Sequence, residues 1–359
     1  MNAMTVGVDL AKNVFVVCVA DGAGRAIEMR EFNRAGFVAW LPTLAPGTVV
    51  AMEACGGAHC WGRTMQALGL EPRLMAAEFV RPYRKRRAVK NDRADAAAIV
   101  AALHAPGMRF IPVKTEIQQQ RLAWHSLRLG WIEERTALLN RIRGVLVEFG
   151  MVVETGATRL RRWLAEHECD AAQPAPIRLL VQKVRDQLVA LDTRIAECDR
   201  QISAQQAEDA AAWRARDLPG VGLLTADAVT ASVGNAWMFQ NGRQFAAWLG
   251  LTPSQYSSGG KPKLGRITRR GDDYLRTLFV QGARSVLAST LRKARTAPDT
   301  LTRLQQWIVS LHKRVGYHKA LVAIANKHAR QLWVVLAKGE HYNPEAWRQW
   351  GETVEQSAA

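Results

Sequence analysis

Eight apolar residues, Ile177, Val181, Val184, Leu188, Leu191, Ile195, Cys198 and Ile202, recur at steps of 4, 3, 4, 3, 4, 3 and 4. The mean step of 3.5 residues is the spacing of a coiled-coil seam, so this stretch predicts one long helix that buries a single stripe. A second stripe, Leu127, Trp131, Leu138, Ile142, Val145 and Phe149, predicts another long helix from about Glu116. The two either fold back on each other as an antiparallel hairpin, zip two protomers together, or serve as a spacer packed on its own chain. Each reading assigns this segment to architecture and not to chemistry.

The residues before it follow a different pattern. Thr5 to Asp9 and Val14 to Ala20 are β-branched runs separated by a four-residue turn, the pattern of a hairpin. Strands are predicted at Glu28–Asn33, Thr48–Ala54 and Pro72–Ala76, with helices from Arg34, over Trp61–Leu68 and over Asp92–His104. The order βββαβαβα is α/β. After Asp217 the chain predicts helices at Gln244–Leu249, Tyr274–Leu291, Thr300–Val315 and Lys319–Ala337, so the fold class is α/β plus all-α. Residues 1–110, 111–215 and 216–345 form three segments, and 346–359 a tail.

Charge narrows the partners. Among 359 residues, 49 Lys and Arg stand against 32 Asp and Glu, a net charge of +17 that favours a polyanion such as nucleic acid. No apolar run approaches the roughly 20 residues of a membrane helix, and the N-terminus lacks the form of a secretory signal; a cytoplasmic protein is expected. Five cysteines without a Cys-x-x-Cys pair argue against a disulfide scaffold or a zinc ribbon.

Four acids fall at telling positions. Asp9 and Glu53 each close a predicted strand, while Asp92 and Asp95 share one side of a helix's first turn. Converging carboxylates repel unless cations sit between them, and hard oxygen donors suit Mg²⁺ or Mn²⁺ in phosphodiester chemistry. Asp92 and Asp95 are also what a helix N-terminus favours without any metal.

Three further motifs bear on nucleic acid. The run Arg81, Arg84, Lys85, Arg86, Arg87, Lys90 and Arg93 precedes the helix of Asp92 and is either a phosphate-binding strip or a solvated loop. Leu218 to Ala226 contains Pro-Gly-Val-Gly, resembling a helix-hairpin-helix motif in which Gly220 and Gly222 let a phosphate approach the backbone; an ordinary tight turn has the same sequence. In Gly250 to Gly271, Ser257 and Ser258 precede two glycines, and Lys261, Lys263, Arg266, Arg269 and Arg270 follow. Read from its residues, this loop either binds phosphate or offers a serine nucleophile.

Taken together, GVDLAK with Asp9, AMEACGG with Glu53, KNDRADA with Asp92 and Asp95, LPGVG and GLTPSQYSSGGKPKLGRITRRGD resemble the DEDD transposases of the bacterial insertion sequence 110 family and its 1111 group, relatives of the pilin-gene invertases. The resemblance runs over nearly the whole chain. It implies an N-terminal RuvC-like, ribonuclease H-type domain, a helical coiled-coil segment and a C-terminal transposase domain with an essential serine. It further implies that Asp9, Glu53, Asp92 and Asp95 bind Mg²⁺, and that Ser258, with Ser257 in reserve, forms a covalent phosphoserine link to DNA. The implied partners are double-stranded donor and target DNA, a structured noncoding bridge RNA, and further copies of the chain as a homodimer assembling to a tetramer. A RuvC-like structure-selective endonuclease using metal-activated water is the alternative.

Overall fold

The computed structural model describes residues 4–84, 92–167, 174–256, 261 and 263–344. The chain divides into two compact units, Met1–Ile117 and Gln118–Ala359.

In the first unit, Thr5–Leu10 (β1), Val14–Ala20 (β2) and Ala26–Asn33 (β3) form an antiparallel meander. Val49–Glu53 (β4) and Glu71–Met75 (β5) then join in parallel on the other side of β1, giving the order β3-β2-β1-β4-β5. The helices are Arg34–Trp40 (α1), Ala58–Ala67 (α2), the single turn Ala77–Val80 (α3) and Asp92–Leu103 (α4). The α/β expectation holds for this unit; only the turn α3 falls outside the predicted element order.

Alternation along the strands sorts the core into two layers. Val6, Val8, Val50 and Met52 pack with α1 and α2, where Phe15 stacks on Phe37 at 4.6 Å and Trp61 meets both rings edge-on. On the opposite face, Cys18 and Ala51, the register partners of Gly7, belong to the clusters that pack with α4. Gly7 lets that helix come close, because a Cβ there would lie 2.7 Å from the Ala96 carbonyl oxygen.

The second unit opens with two long helices, Glu116–Glu148 (α5) and Ala175–Gln206 (α7), with Ala157–Glu166 (α6) between them. All eight residues of the 3.5-residue repeat are buried on α7. Arg128 bonds Asp199 at 2.6 Å and Arg135 bonds Asp192 at 3.0 Å, so seven residues forward on α5 meet seven back on α7. The helices therefore run antiparallel within one chain.

The stripe expected on α5 needs correction. Leu139, Ile142 and Leu146 are the buried apolar residues, whereas Leu127 and Phe149 are exposed. The middle of the expected stripe holds, since Ile142 is buried and Leu138 and Val145 pack partly buried against the same cluster; its ends do not. At the N-terminal end the first turns of α5 bury Arg121 and His125 against a carboxylate in place of an apolar stripe, and Phe149 lies beyond the end of the helix.

The remaining elements are Ala210–Ala215 (α8), Leu223–Val233 (α9), Gly242–Trp248 (α10), a hairpin of Pro253–Gln255 (β6) and Leu264–Ile267 (β7), Asp273–Thr296 (α11), Arg303–Val315 (α12) and Tyr317–Lys338 (α13). Local chemistry sets their ends. Asp272 caps α11 through the Leu275 N–H at 3.0 Å, and Thr302 and Gln305 form a capping box on α12. Phe245, Phe279, Leu287, Ile308, Ile324 and Leu332 form the centre of a core shared by α10 to α13. This half is mostly helical, as expected, but the segment read as a loop holds a two-stranded hairpin.

Candidate active site

The acids come together because of strand register. β1 and β4 are adjacent and parallel with Val8 opposite Met52, so Asp9 and Glu53 leave the sheet at the same end. Both follow, two residues on, the small residues Gly7 and Ala51 that face α4, and so project on that helix's side. α4 opens with Asp92, and Asp95 lies one turn on.

One carboxylate oxygen from each of Asp9, Asp92 and Asp95 lies within 4.8 Å of the others, the one such group of potential ligands found among the described residues. Glu53 stands beside this trio, bound to a cation. Its Oε1 accepts a hydrogen bond from Arg84 Nη2 at 2.7 Å, and Arg84 Nε lies 3.1 Å from Asp95 Oδ1. The arginine bridges the two acids. Burial and repulsion from Asp95, Asp92 and Glu53 push the Asp9 carboxyl up to about 6, against a weaker opposing pull from Arg84. Burial also raises Glu53, and Arg84 again opposes it.

Carboxylates half-buried at Asp9, Glu53 and Asp95 and exposed at Asp92, their repulsion answered by one shared arginine, fit a hard divalent cation, since each of these donors is oxygen. Arg84, expected either to bind phosphate or to lie in a solvated loop, stands inside the acid cluster as a counter-charge. Its distance from Asp95 in sequence hides that role. Arg81 is exposed nearby, while Lys85, Arg86, Arg87 and Lys90 lie outside the described residues.

The residues that flank the serines in sequence form a fixed hairpin. Its strands pair through Tyr256 N–H to the Lys263 carbonyl at 2.9 Å and Thr268 N–H to the Thr252 carbonyl at 2.9 Å. Ser257, Ser258 and Gly259 lie outside the described residues. Lys261, Lys263, Arg266, Arg269 and Arg270 are exposed along the hairpin and its exit. Below them, Arg276 donates to the Leu249 and Arg270 carbonyls at 3.2 and 3.1 Å, tying both ends of the hairpin to α11. Gly271 permits this closure: a Cβ there would fall 1.9 Å from the Trp248 carbonyl oxygen, at a φ of +79°.

The two glycines of Pro-Gly-Val-Gly differ. Gly220, at φ +82°, packs on the backbone of Gly282 in α11, whereas a Cβ on Gly222 would meet nothing within 4 Å. A further buried cluster escapes a reading of spacing. Arg121 bonds Asp227 at 2.7 Å and Asp209 at 2.7 Å, and His125 bonds Asp227 at 2.9 Å and Tyr274 at 2.8 Å. Its one sequence signal is Arg121 and His125 four apart on a helix.

Comparison with known proteins decides the family. The chain is 41% identical over 347 residues to the "Probable family 20 transposase" of Pseudomonas aeruginosa, covering 96% of this chain and 100% of that protein. A model of the Transposase IS116/IS110/IS902 family matches residues 213–297, and a DEDD transposase model of IS110 elements matches residues 6–151. The chain belongs to the IS110/IS116/IS902 family of transposases. It is also 39% identical over 339 residues to the transposase for insertion sequence element IS1111A of Coxiella burnetii, covering 94% of this chain and 90% of that one. The transposase for insertion sequence element IS1328 of Yersinia enterocolitica is 34% identical over 338 residues, with 94% and 98% covered. An IS110-family transposase is an enzyme that acts on DNA, and these matches do not favour a stand-alone structure-selective endonuclease. No helix among the described residues is long and apolar enough to cross a membrane.

Proposed function

We propose that this transposase cuts and exchanges DNA strands through a serine nucleophile, under the guidance of a structured noncoding RNA. The convergence of Asp9, Asp92 and Asp95 at one end of adjacent parallel strands, with Glu53 beside them, carries the reading. The sheet order, a three-stranded meander extended by two parallel strands, supports a RuvC-like, ribonuclease H-type domain. The four carboxylates would hold Mg²⁺ or Mn²⁺, which supplies Lewis-acid activation of the attacking hydroxyl and neutralises charge on the phosphoryl oxygens.

Ser258 Oγ is the attacking atom, with Ser257 in reserve. As the Oγ–P bond forms, the hydroxyl loses its proton; the P–O bond to one deoxyribose breaks, and the departing oxygen takes up a proton. The phosphoserine ester conserves the phosphodiester bond, so a second strand's hydroxyl reverses the step on a new partner. Arg81, Lys85, Arg86, Arg87 and Lys90, the hairpin cations Lys261, Lys263, Arg266, Arg269 and Arg270, and the turn of Gly220 and Gly222 hold phosphates of DNA or RNA. In the assembly we propose, two dimers form a tetramer in which the serine of one protomer completes the acid site of another.

Denaturing gels after incubation with matched donor and target duplexes, Mg²⁺ and co-purified RNA test this reading. A protein–DNA adduct is expected, lost in Ser258→Ala, Asp9→Ala and Glu53→Ala and kept in Ser257→Ala. Cut DNA without an adduct would point instead to attack by water. Recombination that persists after complete removal of RNA would contradict guidance.

A further inference from the structure

The face of the second unit built by α10 and α13 holds a cleft of about 410 Å³ that the proposed chemistry leaves unused. Arg243, Lys327 and Arg330 line it, and no carboxylate does. Gly242 creates the arrangement: a Cβ there would lie 2.8 Å from the Arg330 carbonyl oxygen, so the start of α10 rests on the α13 backbone. Lys327 sits 5.1 Å from the centre of the Trp307 ring, and burial together with Arg330 brings its ammonium down to about 8. Three like charges in one cleft repel each other, a cost that an anion between them removes.

The second observation is aromatic. Trp333 lines the cleft with its indole Nε1 donating to the Ala236 carbonyl at 3.0 Å, and its ring meets Trp237 edge-on at 6.2 Å. Trp237 is 66% exposed. The exposed Trp237 indole, set edge-on against the Trp333 that lines the cationic cleft, combines the two elements that bind unpaired nucleotides, since bases inside a duplex are not free to stack on a side chain.

We propose that this cleft holds a single-stranded segment of nucleic acid, its phosphates on Arg243, Lys327 and Arg330 and one base stacked on Trp237. The inference rests on the reading of the protein as an enzyme of nucleic acid. It is independent of the serine step and of RNA guidance, so adduct formation and strand binding fail separately.

The test is fluorescence anisotropy with the full-length protein and a short labelled oligonucleotide, as single-stranded DNA, as single-stranded RNA of the same sequence and as a blunt DNA duplex. Trp237→Ala is expected to weaken single-strand binding about tenfold with an unchanged salt slope, and Trp237→Phe to restore most of it. Arg243→Ala with Arg330→Ala is expected to reduce the salt slope for single strands by about 1.4, the loss of two phosphate contacts. Greater loss on the RNA probe names an RNA segment as the occupant, greater loss on DNA names a displaced DNA strand, and equal loss shows that the cleft does not read the sugar. Single-strand binding unchanged in both variants, or an equal loss on the duplex, would overturn the proposal. Trp237 and both arginines are exposed, so the variants are expected to fold, which thermal melts check.

Discussion

Gly220 and Gly282 touch backbone to backbone: a Cβ on Gly282 would fall 1.9 Å from the Gly220 carbonyl oxygen. No side chain can rotate away from that contact. Gly282→Ala is expected to cost about 1–3 kcal/mol or more, seen as a lower thermal midpoint. Gly222→Ala, with open space around the new methyl, is expected to stay within about 0.5 kcal/mol, leaving it a clean probe of DNA binding. Equal midpoints for the two variants would reject this assignment.

Gly7 plays the matching role under the acid site. Gly7→Ala sets a methyl 2.7 Å from the Ala96 carbonyl oxygen and pushes α4, with Asp92 and Asp95, away from Asp9. A loss of about 1–3 kcal/mol is expected, together with weaker Mg²⁺ binding by calorimetry. Unchanged Mg²⁺ affinity would show that the helix approach does not set the spacing of the acids.

Charge at the site gives a prediction of opposite sign. Without divalent cations, Asp9 is held among like charges, so Asp9→Asn is expected to raise the thermal midpoint in EDTA at pH 7.5 and to remove the further gain from Mg²⁺. Arg84→Ala removes the charge shared by Glu53 and Asp95, and is expected to lower the metal-free midpoint by up to about 1 kcal/mol equivalent. A destabilised Asp9→Asn in EDTA would refute the repulsion argument.

Asp227 is fully buried and neutralises Arg121 while accepting from His125. Asp227→Ala strands a buried guanidinium and is expected to cost about 3–5 kcal/mol in urea unfolding. Asp209→Ala loses the α8 cap and a half-buried ion pair, for about 1–2 kcal/mol. A smaller effect at Asp227 than at Asp209 would mean that water reaches the network.

Acid should weaken the protein through His328. Burial, with Lys327 beside it, holds the imidazole down at about 4 from an ordinary 6.5. The unfolded chain therefore binds the proton first as pH falls: stability is intact above pH 6.5 and drops by up to about 3 kcal/mol on the way to pH 4. His328→Leu is expected to flatten that slope between urea titrations at pH 7 and pH 5; a parallel slope would assign it to other groups. His59, also held at about 4, adds a drop of the same sign in the first unit.

Much of this was legible in the sequence because it is written locally. The β1–β2 hairpin, the repeat on α7 and the existence of the C-terminal helices depend on neighbouring residues. Asp9 and Glu53 were legible because a carboxylate closing an apolar strand is conspicuous. The hairpin that flanks the serines in sequence was not: β6 and β7 are three and four residues long, and their pairing is closed by Gly250 and Gly271 at the ends of the motif and by Arg276 beyond it. Nor were the buried Arg121–Asp227–His125 contacts, which join residues about a hundred positions apart. Arg84 was read by its charge and its neighbours, which point to solvent, while its partners come from another strand and another helix.

The side-by-side placement of Asp9 and Glu53 has a consequence for engineering. Their spacing is inherited from the interval between two hydrogen-bonded strands, about 4.8 Å, and not from the turns that follow. Those turns can be lengthened, exchanged or recoded to meet a new DNA surface while the chemistry beneath keeps its dimensions.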